Sequence, residues 1–340
     1  MDLIIAGIDE AGYGPLLGPM CVGLSVFRCP APDAAKAPDL WSLLSHAICR
    51  EPGRGGSLDP KGRIAFADSK KLKLSNAAKS VDPLVHLERG VLAALRALEP
   101  HTLPTTDDDL FTRLGITMTW HACYQAPPCS LPLASDAGQL AIASAQFLAG
   151  LARAAVSLLD LRCEALSEPE FNAVIARSGN KSHTTLDAVS RHIEHVWNLY
   201  SDPAATNARL GIICDRLGGR AEYADILAAM LPGTRIETLE ESPTRSRYVI
   251  HGEGARRAGV SFLVEAEDAH LPVALASMTA KLVRELAMRR FNAYWSRRAL
   301  DLTGRELKPT AGYAQDGRRW LKDAAPVLDT RDRVALVRLA

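Results

Sequence analysis

The chain has 340 residues, enough for one large decorated domain or two ordinary ones. Hydrophobic residues at 47% and charged residues at 23% sit near the globular average, which excludes collagen-like, coiled-coil and wholly disordered architectures. Forty Lys and Arg against 39 Asp and Glu leave a net charge of +1, so a polyanion cannot be held by bulk charge, and any nucleic-acid surface must be a local patch.

The opening LIIAGI is an apolar run that ends in Asp9-Glu10, and CVGLSVF follows beyond Gly12, Gly14 and Pro15. Two adjacent strands joined by a tight loop are expected there. Residues 30–62 are rich in Pro, Gly and Ala around a short helix expected at 39–50, and read as a surface insertion. DSKKLK opens a helical stretch, and 83–99 has helical spacing. A Pro-broken, acidic piece containing Asp107, Asp108 and Asp109 follows, then a helix over 137–160 and a short strand, LRCEAL. Another helix is expected at about 168–177. Next come RLGIICD, a buried strand ending in Asp215, and a helix in AEYADILAAML. Strands in RSRYVI and GVSFLVEAED precede a long helix over about 272–298, with Pro272 near its first turn.

Residues 53–96 carry nine basic and four acidic residues and residues 284–322 carry ten and four, whereas 100–170 carry three and eight. Two basic segments flanking an acidic one can line a polyanion groove. The acidic 100–164 segment is a poor nucleic-acid surface, and is expected to pack beside the core or recruit a partner, with Asp107, Asp108 and Asp109 open to neutralisation. The seven cysteines are odd in number and scattered in apolar surroundings, the pattern of buried thiols in a reducing compartment. His121, Cys123 and Cys129 supply three potential zinc ligands among prolines and read as an ordinary loop. No apolar run approaches the roughly 18 residues that span a bilayer, and MDLIIAGIDEAG has acids where a signal peptide is basic, so a soluble, cytoplasmic protein without a membrane partner is expected.

The informative pattern is a set of carboxylates at strand ends: Asp9 and Glu10, Asp215, and the cluster Glu265, Glu267 and Asp268. Hard divalent cations take oxygen ligands and keep several waters, so converging carboxylates suit a site that also binds phosphate. Strand side chains alternate, so Asp9 and Glu10 converge only if the chain twists or bulges into the following loop. Gly12, Gly14 and Gly18 also follow a strand in the manner of a dinucleotide loop. Pro15 and Pro19 leave little room for the helix that would hold the phosphate, and Asp9-Glu10 would repel it.

The run from Gly7 to Pro19, GIDEAGYGPLLGP, resembles the opening motif of type 2 ribonucleases H, with Tyr13 in place of the family's arginine. Asp68-Ser69-Lys70-Lys71-Leu72 matches that family's DSKKL segment. Glu267-Asp268 followed by Ala276-Ser277 and Ala280-Lys281 is similar to its fourth-carboxylate motif, and Gly312-Tyr313 to its C-terminal Gly-Tyr. Asp215 falls where the third carboxylate belongs, although CDRLGGR departs from the usual sequence. The resemblance implies an α/β, ribonuclease H-like fold: a mixed central sheet flanked by helices, with insertions and a helical C-terminal extension. The catalytic core would comprise 1–99 and 165–300, with 30–62 and 100–164 as insertions and 301–340 as a substrate-contacting segment. It further implies hydrolysis, with two Mg²⁺ or Mn²⁺ ions, of RNA in RNA/DNA hybrids or of ribonucleotides embedded in DNA, leaving 3′-hydroxyl and 5′-phosphate ends. Asp9, Glu10, Asp215 and Asp268 would be the catalytic metal ligands, Asp268 being preferred over Glu265 and Glu267 by resemblance. Gly12, Tyr13, Gly14, Lys70, Lys71, Ser277, Lys281 and Tyr313 would contact substrate. The alternative is a nucleic-acid-binding protein on the same fold whose catalysis has lapsed or been retuned.

Overall fold

A computed structural model describes residues 2–31, 37–76, 80–100, 102–117 and 120–339; residues 32–36 of the expected 30–62 insertion and 118–119 of the 100–164 segment lie outside them. Seven strands form one mixed sheet: β1 (Asp2–Ala11), β2 (Met20–Pro30), β3 (Ser157–Leu166), β4 (Ala208–Asp215), β5 (Arg235–Glu241), β6 (Arg245–His251) and β7 (Arg257–Leu263). Across the sheet they run β3-β2-β1-β4-β7-β6-β5. The central strands β1, β4 and β7 are parallel, and antiparallel strands flank them on both sides. β1 is apolar along nearly its whole length because both faces of the sheet are covered by helices. Parallel strands end at the same edge, and there the chain places Asp9, Glu10, Asp215 and the segment after Leu263.

The helices Val85–Leu98, Ala137–Arg153 and Leu271–Thr303 pack one face; Glu168–Ser178, Ser182–Tyr200 and Ala224–Met230 pack the other. The long helix Leu271–Thr303 lies directly on β1 and β2. A Cβ on Gly7 would fall 2.2 Å from the Pro272 backbone, and one on Gly23 would fall 2.1 Å from the Ala276 carbonyl oxygen, so bare backbone is required at both crossings. Ser25 fastens the contact by donating to the Pro272 carbonyl at 2.7 Å. This close approach brings the side chains of the helix's first turns to the C-terminal end of β1. Among the described residues no helix is long and apolar enough to cross a membrane.

Several elements differ from the sequence reading. The helix expected over 39–50 is a single turn, Leu40–Leu43, after which Ile48–Cys49 pairs with Ile64–Ala65. The Ala137–Arg153 helix stops before 160, and Ala155 at φ 53° turns the chain into β3. The boundary drawn at 164 therefore falls inside a strand of the main sheet, and the 100–164 segment shares the core of the long helix. Among the elements without a counterpart in that reading, two belong to the main layers. β5 is a charged edge strand without an apolar run, and Ser182–Tyr200 is a 19-residue helix whose apolar face is interrupted by buried Thr184, Thr185 and His192.

Asp107, expected to be open to neutralisation, is fully buried. It receives two hydrogen bonds from the Arg290 guanidinium, at 2.7 and 2.5 Å, and one from the Cys129 amide at 2.8 Å. Removing one partner of a buried pair strands the other charge, which costs about 3 to 5 kcal/mol. Asp107→Ala is thus expected to lose that much stability in urea unfolding, whereas Asp108→Ala, at an exposed carboxylate on the same arginine, loses under about 1 kcal/mol.

Candidate active site

The β1 to β2 register is unbroken from Asp2↔Pro30 to Ala11↔Cys21, so Asp9 and Glu10 converge by twist at the strand end and not by a bulge. Asp9 is 7% exposed and its Oδ1 accepts from the Glu10 amide at 2.7 Å. Asp215, the last residue of β4, accepts from the Ala266 amide at 3.1 Å. Carboxylate oxygens of Asp9, Glu10 and Asp215 lie within 4.8 Å of one another. They line a cleft of about 200 Å³ together with Glu267, Ser69, Lys70, Ser277, Lys281, Tyr313 and the 10–15 backbone.

The fourth acid in this cleft is Glu267, not Asp268. β7 ends at Leu263, and Glu265, at φ 55°, reverses the chain into the single helical turn Ala266–Ala269. Successive residues on a helix point about 100° apart, so the turn that directs Glu267 inward directs Asp268 outward. Asp268 is exposed and accepts from Lys71 Nζ at 2.7 and 2.9 Å, while Arg50 donates to its carbonyl at 2.5 Å. Asp268, expected in the carboxylate set, thus lies outside the cleft that Glu267 lines. Lys71, committed to Asp268, is likewise removed from the cleft lining, where Lys70 stays.

The other expected contacts divide. Gly12, Tyr13, Gly14, Lys281 and Tyr313 line the cleft, with Lys281 held at 3.0 Å by Glu285. Ser277 is buried against Asp9 and its hydroxyl pairs with Ser69 Oγ at 3.0 Å, so it supports the carboxylate more than it faces solvent. Arg284 is fully buried and turned towards the loop behind the cleft. Arg216 is tied to the carbonyls of Arg220, Ser242 and Pro243. Sequence reasoning missed Lys181, whose Nζ stands 5.2 Å over the Tyr13 ring. A lone lysine beginning an unassigned helix gave no signal for it.

Burial, then the neighbouring charges of Glu10 and Asp215, hold Asp9 well above the usual carboxylate range, partly offset by the Ser277 hydroxyl. Burial and Asp215 push Glu10 up to about 7. Burial raises Asp215 and Glu267 as well. For Lys70, burial works to lower the pKa, but Asp68, Glu267, Asp9 and Asp215 together raise it. Among the described residues, the Oε2 atoms of Glu10 and Glu267 are buried with no hydrogen-bond partner. Hard oxygen donors, clustered, short of hydrogen bonds and costly to ionise together, fit Mg²⁺ or Mn²⁺.

No family model matches the chain, and no curated protein matches it. Solved structures do. The ribonuclease HII of Archaeoglobus fulgidus in its complex with PCNA is 15% identical, with 99% of this chain and 94% of that one covered and a TM-score of 0.42. The chain is similar to type 2 ribonucleases H. Ribonuclease H2 of Pyrococcus horikoshii OT3 is 14% identical over 97% and 92% of the two chains, with a TM-score of 0.41. Bst-RNase HIII in complex with Mn²⁺ is 15% identical over 99% of this chain and 66% of its own, also at 0.41.

The raised Glu10 pKa fixes a sign. In the unfolded chain the group ionises near 4.5, in the folded protein near 7. Metal-free protein is therefore penalised as pH rises above 4.5, and the full penalty is reached above 7. Glu10→Gln is expected to melt about 2 to 5 °C higher than wild type in EDTA at pH 8, with the gap closing towards pH 5. Saturating Mn²⁺ should reverse the order, because the wild type gains more from binding.

Proposed function

We propose that the protein is a divalent-metal-dependent endoribonuclease of the type 2 ribonuclease H kind, acting on RNA in RNA/DNA hybrids or on ribonucleotides within duplex DNA. The observation that carries this reading is the convergence of Asp9, Glu10 and Asp215 within 4.8 Å at the end of parallel strands, with Glu267 lining the same cleft. Binding a phosphodiester there without cations would set acids against a polyanion, so the cluster makes chemical sense with metal. Asp9, Glu10, Asp215 and Glu267 would hold Mg²⁺ or Mn²⁺, which when bound neutralises charge on a phosphate and acidifies water.

The chain's own residues supply the rest. Ser277 and the Glu10 amide orient Asp9, and the Ala266 amide orients Asp215. Lys70 and Lys281 put positive charge at the cleft, where a backbone phosphate is attracted. Tyr13 and Tyr313 offer flat faces to a sugar, and the 12–14 backbone supplies amides for a 2′-hydroxyl, the group that separates RNA from DNA. The products would carry 3′-hydroxyl and 5′-phosphate ends.

The test is cleavage of a labelled hybrid with Mg²⁺ or Mn²⁺. Asp9→Asn, Asp215→Asn and Glu267→Gln are each expected to lower turnover at least about a hundredfold with folding intact, and Asp268→Asn to stay within about threefold of wild type. Wild-type rates for Asp9→Asn would place the chemistry elsewhere. Tyr at 13 lacks the forked donors of arginine. Tyr13→Arg should therefore increase the ratio of cleavage at a single embedded ribonucleotide to cleavage of a continuous hybrid.

A further inference from the structure

The 12–18 loop, which closes one side of the cleft, is held from behind by two buried arginines, neither of which forms an ion pair among the described residues, although the buried carboxylate of Glu168 acts on Arg338 from further off. Arg338, from the C-terminal tail, is 2% exposed. Its Nη1 donates to the Gly12 carbonyl at 2.5 Å, its Nη2 to the Gly18 carbonyl, and its amide to the Leu16 carbonyl at 2.9 Å. Its guanidinium lies 4.6 Å over the Phe171 ring, and its Nε has no hydrogen-bond partner among the described residues. Arg284, from the long helix, is fully buried and donates to the carbonyls of Leu17 at 3.2 Å and Ala311 at 3.0 Å. Its Nε and Nη1 have no hydrogen-bond partner among the described residues. Gly12 has φ +90°, and a Cβ there would lie 2.5 Å from Arg284 Nε, so the loop backbone rests on the guanidinium.

The remaining groups of the loop are used in the same direction. Gly312 accepts from the Leu16 and Leu17 amides, at 2.8 and 3.1 Å, and Glu168 accepts from the Gly18 amide at 2.9 Å. Four loop carbonyls, those of Gly12, Leu16, Leu17 and Gly18, are thus drawn inward by buried arginine. By contrast, no described residue accepts from the amides of Tyr13 and Gly14, which border the cleft. Burying a charged guanidinium is costly unless its hydrogen bonds are used, and here part of each fork is left over. That arrangement is poor for stability alone. It is well suited to fixing backbone donors and a positive potential behind a loop that meets an anion.

We propose that Arg338 is a positioning residue for substrate: by gripping the Gly12 and Gly18 carbonyls it holds the Tyr13 and Gly14 amides towards the ribose-phosphate of a ribonucleotide in a duplex. This makes the C-terminal tail part of substrate recognition. The positive charge absent from position 13 is supplied from behind the loop, through the backbone. The assignment rests on the function proposed above for the same cleft.

Three readings test it on Arg338→Gln, which removes the charge and the fork, and on Arg338→Lys, which keeps the charge. Hydrogen exchange of the full-length protein should show the 16–18 amides exchanging at least about tenfold faster in Arg338→Gln, with β1 and β2 unchanged. Binding of a duplex with one ribonucleotide, followed by anisotropy in Ca²⁺, should weaken about tenfold, and that of the all-DNA duplex less than threefold, with Arg338→Lys recovering part of the loss. In Mg²⁺ the Arg338→Gln KM should rise and kcat should change less than threefold, at unaltered Mn²⁺ affinity. Unchanged loop exchange in a folded Arg338→Gln overturns the proposal, as does an equal loss for both duplexes or a fall in Mn²⁺ affinity. A wild type that binds the ribonucleotide selectively without cleaving it contradicts the nuclease reading and leaves this one standing.

Discussion

Carboxylates repel, and everything around the cleft is arranged to hold several of them together. Two unit charges about 4 Å apart repel by roughly 4 kcal/mol at an effective dielectric constant of 20. Asp9, Glu10 and Asp215 are within that range of distance, and Glu267 adds a further acid. Such a cluster persists only where the scaffold is rigid and where protons or cations relieve it. The raised pKa values of the four acids express the first form of relief. The Oε2 atoms of Glu10 and Glu267, without a hydrogen-bond partner among the described residues, leave donor positions for the second.

Rigidity comes from the parallel pairing of β1, β4 and β7 and from the long helix set directly on Gly7 and Gly23. Side chains at strand ends inherit the stiffness of the sheet while facing open space. The surrounding segments are fastened to the same frame. Tyr124, from the acidic segment, donates at 2.5 Å to Glu168, which also takes the Gly18 amide, and Asp107 clamps Arg290 of the long helix. Segments that look added in the sequence thus end on the back of the cleft.

What was legible in the sequence was local. An apolar run followed by acids located Asp9, Glu10 and Asp215, because a buried strand that ends in carboxylates has little else to do with them. The choice between Glu267 and Asp268 was not legible. It depends on the phase of one helical turn, set by a left-handed Glu265 that no pattern announces. Lys70 and Lys71 differ for the same reason, since Asp268 turned outward captures Lys71. The long helix shows a second limit. Its polar residues Ser277 and Arg284 suggest a wet face, yet both are buried, because partners distant in sequence take their hydrogen bonds, in part for Arg284. Arg290 with Asp107 repeats the case across 183 positions. Composition reads the exposure of a segment from its neighbours in sequence and is blind to such pairs. The edge strand β5 escaped for the opposite reason, having too little apolar character to register.

The central claim is that the clustered acids are a divalent-cation site. Crystals of the protein soaked in Mn²⁺ and measured for anomalous scattering test it directly. The account predicts anomalous density inside the cleft, in contact with carboxylate oxygens of Asp9, Glu10, Asp215 and Glu267 and away from Asp268. A well-ordered cleft without density, or an ion held by Asp268 instead of Glu267, would contradict it.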